Sequence, residues 1–110
     1  MIDVRVHGGF LEVAVTDGDA FLLTRSRDPW KLTIPVDHVS RAVPGRKRGI
    51  FSKKHIFDKR GGLLVCARRG EPNIDIYLDG RDEFRFMTLS VPDPQDTAAT
   101  IKGALRQLGR

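Results

Sequence analysis

The chain has 110 residues, of which 40% are apolar and 30% charged, with a formal net charge of +5 at pH 7. This length predicts a single domain, residues 1–110, and the composition excludes an intrinsically disordered chain. No apolar run approaches the roughly 18 residues that a membrane-spanning helix needs. Charges at Asp3 and Arg5 interrupt the apolar segment of a signal peptide, and the single cysteine, Cys66, can form no intramolecular disulfide. We therefore expect a cytoplasmic protein.

The first predicted element is a β-hairpin. Residues 3–6 and 10–15 flank Gly8 and Gly9, and residues 11–15 alternate between apolar and other side chains, as in a strand with one buried face. Residues 17–24 combine an Asp-Gly turn signal with the apolar run 21–23. Either a short helix or an irregular connection fits this stretch.

The next predicted strand covers residues 30–34, in which Trp30, Leu32 and Ile34 share one face. Pro35 interrupts it, and residues 36–43 continue as an edge segment or a bent strand. Residues 44–62 begin and end with glycines and predict a long loop, with one short strand around Ile50 or Ile56.

The second half of the chain predicts three more strands, at residues 63–67, 73–78 and 84–91. Short turns join them, which indicates an antiparallel meander. A single amphipathic helix follows, with Asp93 as N-cap, Pro94 at its first position and Gly109 as C-cap. We expect this helix to cover one opening of the core.

These elements together predict a mainly β fold with one C-terminal α-helix. Three segments, WKLTIPVDHV at 30–39, RGEPNIDIYLDG at 69–80 and LSVPDPQDTAA at 89–99, carry a family resemblance. They resemble the small stand-alone bacterial pleckstrin-homology-like (PH-like) proteins, in which I-P-x-x-x-V, G-x-P-x-x-x-I-x-L and S-V-x-D-P occur in this order. The resemblance, over about residues 3–108, implies a PH-like split barrel of about seven antiparallel strands in two near-orthogonal sheets, capped by the helix.

The resemblance implies a binding module of uncharacterised function. In eukaryotic relatives of this fold the open end of the barrel often holds an inositol phosphate, and other members bind peptides on a sheet edge or in a groove. Basic residues in the loop between the first two strands carry much of the phosphate recognition. Here residues 7–9 and 16–19 contain no Lys or Arg. Phosphoinositide recognition is therefore not carried over to this chain.

Basic charge is concentrated in residues 41–60, which contain eight cations and one carboxylate, Asp58, so that the rest of the chain carries −2. Cations near an anionic membrane contribute about 1 kcal/mol each. Ile50 and Phe51 lie among these cations and are able to insert between headgroups. An anionic ligand or membrane surface is the first hypothesis, and a solvated loop that binds nothing is the alternative. The candidate binding residues are Arg46, Lys47, Arg48, Lys53 and Lys54.

A protein partner, or a second copy of the chain, that docks on a sheet edge or in an apolar groove is the second hypothesis. If residues 63–67 or 84–91 formed an edge strand, that strand could pair with another chain and produce a homodimer or a peptide-docking module. Nucleic acid is not favoured, because the sequence has neither an aromatic-rich RNA-binding strand motif nor a recognition-helix pattern.

Nothing in the sequence predicts catalysis, a cofactor or a metal site, and we expect no enzyme. The spacing of the three histidines matches neither a metal-ligand set nor a nucleophile with its base. The carboxylates in the turn after residue 78 are expected to be hydrated and to have no further role. Cys66 lies in an apolar strand and is expected to be an inert core thiol. Trp30 is expected in the core, with the wall of a binding groove as the alternative. The residues without a predicted chemical role are His7, His38, His55, Asp79, Asp82 and Glu83.

Overall fold

Two separate β-sheets and two α-helices form the part of the chain that the computed structural model describes, residues 1–45, 54–68 and 70–109. The helices are α1 (Asp17–Thr24) and α2 (Pro94–Gln107), and a short 3-10 turn covers Val36–His38. The strands are β1 (Ile2–His7), β2 (Phe10–Val15), β3 (Trp30–Pro35), β4 (Val39–Pro44), β5 (Lys54–Asp58), β6 (Leu63–Ala67), β7 (Asn73–Leu78) and β8 (Phe86–Ser90).

The first sheet has three antiparallel strands in the order β1-β2-β3. Gly8 and Gly9 both have positive φ, 58° and 81°, which glycine adopts without steric cost in the tight turn between β1 and β2. Leu11 and Val13 of β2 point into the core, opposite Ile34 and Leu32 of β3. The predicted hairpin and the predicted strand at 30–34 are confirmed.

The second sheet has five strands in the order β4-β7-β8-β6-β5, and its β6–β8 pair is parallel. The predicted antiparallel meander is therefore wrong for residues 63–67, which pair with β8 and β5 and not with the next strand along the chain. Leu64, Val65, Cys66 and Ala67 are all buried. A continuous apolar run of this kind suits an interior strand covered on both faces.

The number of strands and the closure of the fold also differ from the expectation. There are eight strands instead of about seven, and no strand pair joins the two sheets within the described residues, so that they do not close into a barrel. Strand β5 includes Ile56, one of the two positions proposed for a short strand inside the predicted loop, whereas Ile50 lies outside the described residues. Residues 17–24, which the sequence left open, form α1.

The predicted C-terminal helix is confirmed as α2, which packs on the core, but its C-cap is Leu108 and not Gly109. The Asp93 side chain accepts a hydrogen bond from the Asp96 backbone N–H at 3.0 Å, as an N-cap residue should. Ala98 and Ile101 are buried in the core between the sheets. Within the described residues, neither helix has the length and apolar character needed to cross a membrane.

An aromatic cluster links the two sheets. Trp30 of β3 lies edge-on to Phe57 of β5, with ring centroids 5.5 Å apart, and 6.3 Å from the fully buried Phe84. Perpendicular ring contacts of this kind stabilise a core by more than the burial of their apolar surface alone would. Trp30 is half-buried, and its packing against the core agrees with the first of the two expectations for this residue.

Candidate functional site

The register of the five-stranded sheet defines two ends that differ in charge. One end, which we call the basic end, carries the terminal strand residues Pro44, Lys54, Ala67, Asn73 and Ser90. The other, which we call the His38 end, carries Val39, Asp58, Leu63, Leu78 and Phe86. Each end therefore brings together residues that are far apart in the sequence.

The connection that holds the predicted site residues begins and finishes at the basic end. Arg46, Lys47, Arg48 and Lys53 lie outside the described residues, and Lys54 is the first residue of β5. On the opposite edge of the sheet, the Gly45 backbone N–H donates to the Asn73 carbonyl at 2.9 Å. Gly45 follows β4 and Lys54 begins β5, and these two strands are the opposite edges of the five-stranded sheet. At the usual spacing between strands, β4 and β5 lie roughly 19 Å apart.

The remaining cations of segment 41–60 do not share this end. Arg41 lies on β4, with its guanidinium 5.9 Å from the centroid of the Tyr77 ring. Lys59 and Arg60 lie in the β5–β6 turn at the His38 end, where the Lys59 ammonium is 3.8 Å from a Glu83 carboxylate oxygen. The fold therefore divides a segment that is continuous in sequence between different surfaces.

An ion cluster that the sequence did not predict lies at the basic end. Arg68, the residue after β6, directs Nε to Oδ1 of Asp19 at 3.1 Å and Nη2 to Oδ2 of the same carboxylate. Asp19 lies on α1 and is only 4% exposed. The Met1 amine, 2.6 Å from Oδ2, and His55 Nε2, 3.4 Å from Oδ1, complete its surroundings.

The cluster holds Asp19 in its charged form. Burial alone would raise the pKa of this carboxyl, but hydrogen bonds from Arg68 and the Met1 amine outweigh burial and lower the pKa to about 2. The same pairing raises the pKa of Arg68. Burial, with the nearby Asp19 charge, raises the pKa of the Cys66 thiol to about 12. Cys66 is thus the buried, unreactive thiol that the sequence predicted.

A cleft of about 410 Å³ lies beside this cluster, lined by Ile2, Arg68, Glu71, Ser90 and Pro92 among others. Its polar groups already have partners: the Ser90 hydroxyl accepts a hydrogen bond from the Arg68 backbone N–H at 2.7 Å, and Arg68 Nη1 is 3.5 Å from Glu71. Among the described residues that line this cleft, no nucleophile is hydrogen-bonded to a base.

The His38 end carries a polar cluster formed by His38 of the 3-10 turn and two carboxylates of the β7–β8 connection. His38 Nδ1 is 2.9 Å from an Asp82 carboxylate oxygen, and potential ligand atoms of His38, Asp79 and Asp82 lie within 4.8 Å of one another. Arg81 holds Asp79, however, through Nε at 2.7 Å and Nη2 at 2.6 Å. A hydrogen bond from Arg81 lowers the pKa of Asp79. Asp79, one of the turn carboxylates expected to be only hydrated, is therefore ion-paired, and a metal ion would have to displace Arg81.

No protein-family model, no curated protein and no solved structure matches this chain. The PH-like resemblance stays a prediction. The site must therefore be interpreted from its own residues.

Proposed function

We propose that this protein is a non-enzymatic, PH-like binding module that attaches reversibly to the phosphate headgroups of an anionic membrane through residues 46–54. The observation that carries the proposal is that this cation-rich connection leaves and re-enters the five-stranded sheet at one end, from its two opposite edges.

The distribution of charge between the two ends supports this orientation. The connections between strands that begin and finish at the basic end, residues 45–54 and 68–72, contain seven cations and one carboxylate, whereas those at the His38 end, residues 58–62 and 79–85, contain four of each. The one carboxylate, Glu71, already contacts Arg68, as does Asp19 of α1. The seven cations are Arg46, Lys47, Arg48, Lys53, Lys54, Arg68 and Arg69.

The expected attachment is weak and sensitive to salt. Five cations in residues 46–54, at about 1 kcal/mol each, give roughly 5 kcal/mol, which corresponds to reversible binding. Exposed charges are screened over about 10 Å at 0.1 M salt, so binding should weaken as salt is added. A cytoplasmic location fits this proposal, because the cytoplasmic leaflet carries the anionic lipids.

The test compares two variants of equal net charge. Lys47→Gln with Arg48→Gln removes two cations from the basic end, and Lys59→Gln with Arg60→Gln removes two from the His38 end. Binding is measured by sedimentation with phosphatidylcholine vesicles, with and without phosphatidylglycerol, at about 50 and 200 mM salt. We expect the first variant to lose roughly 30-fold in affinity for the anionic vesicles and the second to change by less than about threefold. Equal losses in both variants, or equal binding to neutral vesicles, would overturn the proposal.

A second arm separates a membrane from a small soluble anion. Inorganic phosphate and glycerol phosphate are titrated into the protein, and backbone amide shifts are followed by NMR. The membrane proposal predicts only weak, non-saturating shifts, because one phosphate engages few of the cations at a time. Saturable binding at micromolar concentration would instead indicate a site for a soluble anion.

The alternative is a protein-interaction or self-association module that uses a sheet edge or groove. Strands β6 and β8, which the sequence offered as possible edges, are interior strands, and β4 and β5 are the edges of this sheet. Light scattering in the buffers of the vesicle experiment gives the oligomeric state. A stable dimer that does not bind anionic vesicles would favour self-association.

A further inference from the structure

Helix α1 exposes apolar side chains on its outward side. Asp19, Ala20 and Leu23 face the interior, whereas Phe21 is 43% and Leu22 is 42% exposed. The outward side of a surface helix normally carries polar residues. Two adjacent large apolar side chains at this position are unlike single exposed apolar residues, which are common on protein surfaces.

A third exposed apolar side chain lies beside this helix. Met1, which is 60% exposed, is held next to α1 by the contact between its amine and Asp19. Three of the six large apolar side chains that are exposed in the described part of the chain thus lie on or beside α1. The other three, Phe10, Tyr77 and Leu108, belong to three different elements, β2, β7 and the C-terminal end of α2.

Two exposed arginines follow Phe21 and Leu22 in the sequence. Arg25, the C-cap of α1, and Arg27 are exposed, and neither guanidinium has an ion pair with any residue that the structure describes. A cleft of about 380 Å³ opens between Phe21 and Arg27, with Asp17 and Gly18 on its other side. Apolar side chains bordered by Arg or Lys are the pattern of segments that lie in a membrane interface.

The position of α1 is fixed relative to the basic end. Asp19, two residues before Phe21, bonds to Arg68 at the end of β6 and contacts His55, the residue after Lys54. Helix α1 therefore lies against β5, next to the residue at which the basic connection joins that strand.

We infer that the outward face of α1 is the apolar contact element of the membrane-binding surface, with Phe21 and Leu22 entering the headgroup region of an anionic bilayer and Arg25 and Arg27 contacting its phosphates. This inference rests on the proposed function and deepens it: the basic connection supplies attraction, and α1 supplies insertion. Charge complementarity between anionic lipid and Arg25 and Arg27, which have no ion pair among the described residues, selects a bilayer over an apolar protein partner.

The experiment replaces the apolar pair and leaves the charge unchanged. Phe21→Gln with Leu22→Gln is compared with a matched control, Phe10→Gln with Leu108→Gln, since both controls are equally exposed and lie away from α1. Sedimentation uses mixed phosphatidylcholine and phosphatidylglycerol vesicles at about 50 mM salt. We expect the α1 variant to bind about tenfold more weakly and the control to bind within about twofold of the original chain. Circular dichroism verifies that each variant is folded.

A depth measurement gives an independent readout. In Leu22→Trp, the added fluorescence, after subtraction of the Trp30 signal of the original chain, should shift to shorter wavelength and be quenched by brominated phosphatidylglycerol. Quenching only by soluble iodide would overturn the inference.

The two proposals fail in different ways. If the α1 variant binds like the original chain while Lys47→Gln with Arg48→Gln does not bind, the insertion inference is wrong and the membrane proposal holds. If the original chain does not distinguish anionic from neutral vesicles, the membrane proposal is wrong and the inference is lost with it.

Discussion

The two ends of the five-stranded sheet carry the same ion pair in different surroundings. At the basic end Arg68 directs two nitrogens to the carboxylate of Asp19, and at the His38 end Arg81 directs two nitrogens to that of Asp79. The first pair joins residues 49 positions apart, on α1 and after β6, and its carboxylate is almost fully buried. The second joins residues two positions apart in one exposed turn.

This difference shows that burial, and not the geometry of the contact, decides what an ion pair does for the fold. A buried carboxylate without its counter-ion has no water to replace it, so its partner becomes necessary. An exposed carboxylate is hydrated whether or not its partner is present. We therefore expect the basic end to depend on its charges for stability and the His38 end to tolerate their loss.

The largest expected effect comes from removing the arginine. Arg68→Met leaves the buried Asp19 carboxylate without its main counter-ion and should lower the free energy of unfolding by about 3 kcal/mol. Urea denaturation at pH 7 measures this change, and Arg81→Met, the matched variant at the His38 end, should leave the midpoint unchanged. The double variant Arg68→Met with Asp19→Asn should be more stable than Arg68→Met alone, because it no longer buries a charge. Equal destabilisation by the two arginine variants would contradict the comparison.

Acid should also weaken the basic end selectively. Because folding lowers the pKa of Asp19 from 3.8 to about 2, the charged form contributes stability that is fully present above pH 3.8 and is lost as the pH falls through about 2. The corresponding change in the free energy of unfolding is about 2 kcal/mol. This change is measured by denaturation curves recorded between pH 5 and pH 2 in steps of about one pH unit. Asp19→Asn should show a flatter pH dependence, and a slope as steep as that of the original chain would contradict the assignment.

Two glycines give the smallest and most local comparison. A methyl group on Gly45, at the basic end, would lie 1.9 Å from Oδ1 of the buried Asn73, whereas one on Gly61, at the His38 end, would meet only the carboxylate of the exposed Asp58. Gly45→Ala should therefore cost about 1 to 2 kcal/mol, and Gly61→Ala less than half of that, since the Asp58 side chain can rotate away. Thermal unfolding of the two variants measures the difference. A larger loss for Gly61→Ala would indicate that the turn at the His38 end is the more tightly packed of the two.

Much of the fold was predictable because its signals are local. Alternating apolar residues identified β2 and β3, and the N-cap Asp93 with Pro94 identified the start of α2. Strand β5 was harder, because the inward-facing His55 and Phe57 stand next to a run of cations that resembles a loop. The prediction of a meander failed for a different reason. The order of strands within a sheet depends on which strand edges are available for pairing, and β5 and β8 together occupy both edges of β6.

The candidate site was predictable in its composition but not in its place. The sequence identified the cations of residues 46–54 and could not indicate that the strands on either side of them meet this segment at the same end of a sheet, or where Arg41, Lys59 and Arg60 lie. It also gave no sign of the Asp19–Arg68 pair. An Asp in the first turn of a short helix and an Arg after a strand are ordinary residues until the fold brings them into contact.

The sequence by itself determined the secondary structure of most segments and the amount of basic charge, because side-chain periodicity, capping and net charge act over a few neighbouring residues. Only the tertiary structure decided which strands pair, which carboxylate is buried against which guanidinium, and which apolar side chains of α1 remain in contact with water. These features depend on contacts between residues tens of positions apart, and such contacts exist only once the core has assembled.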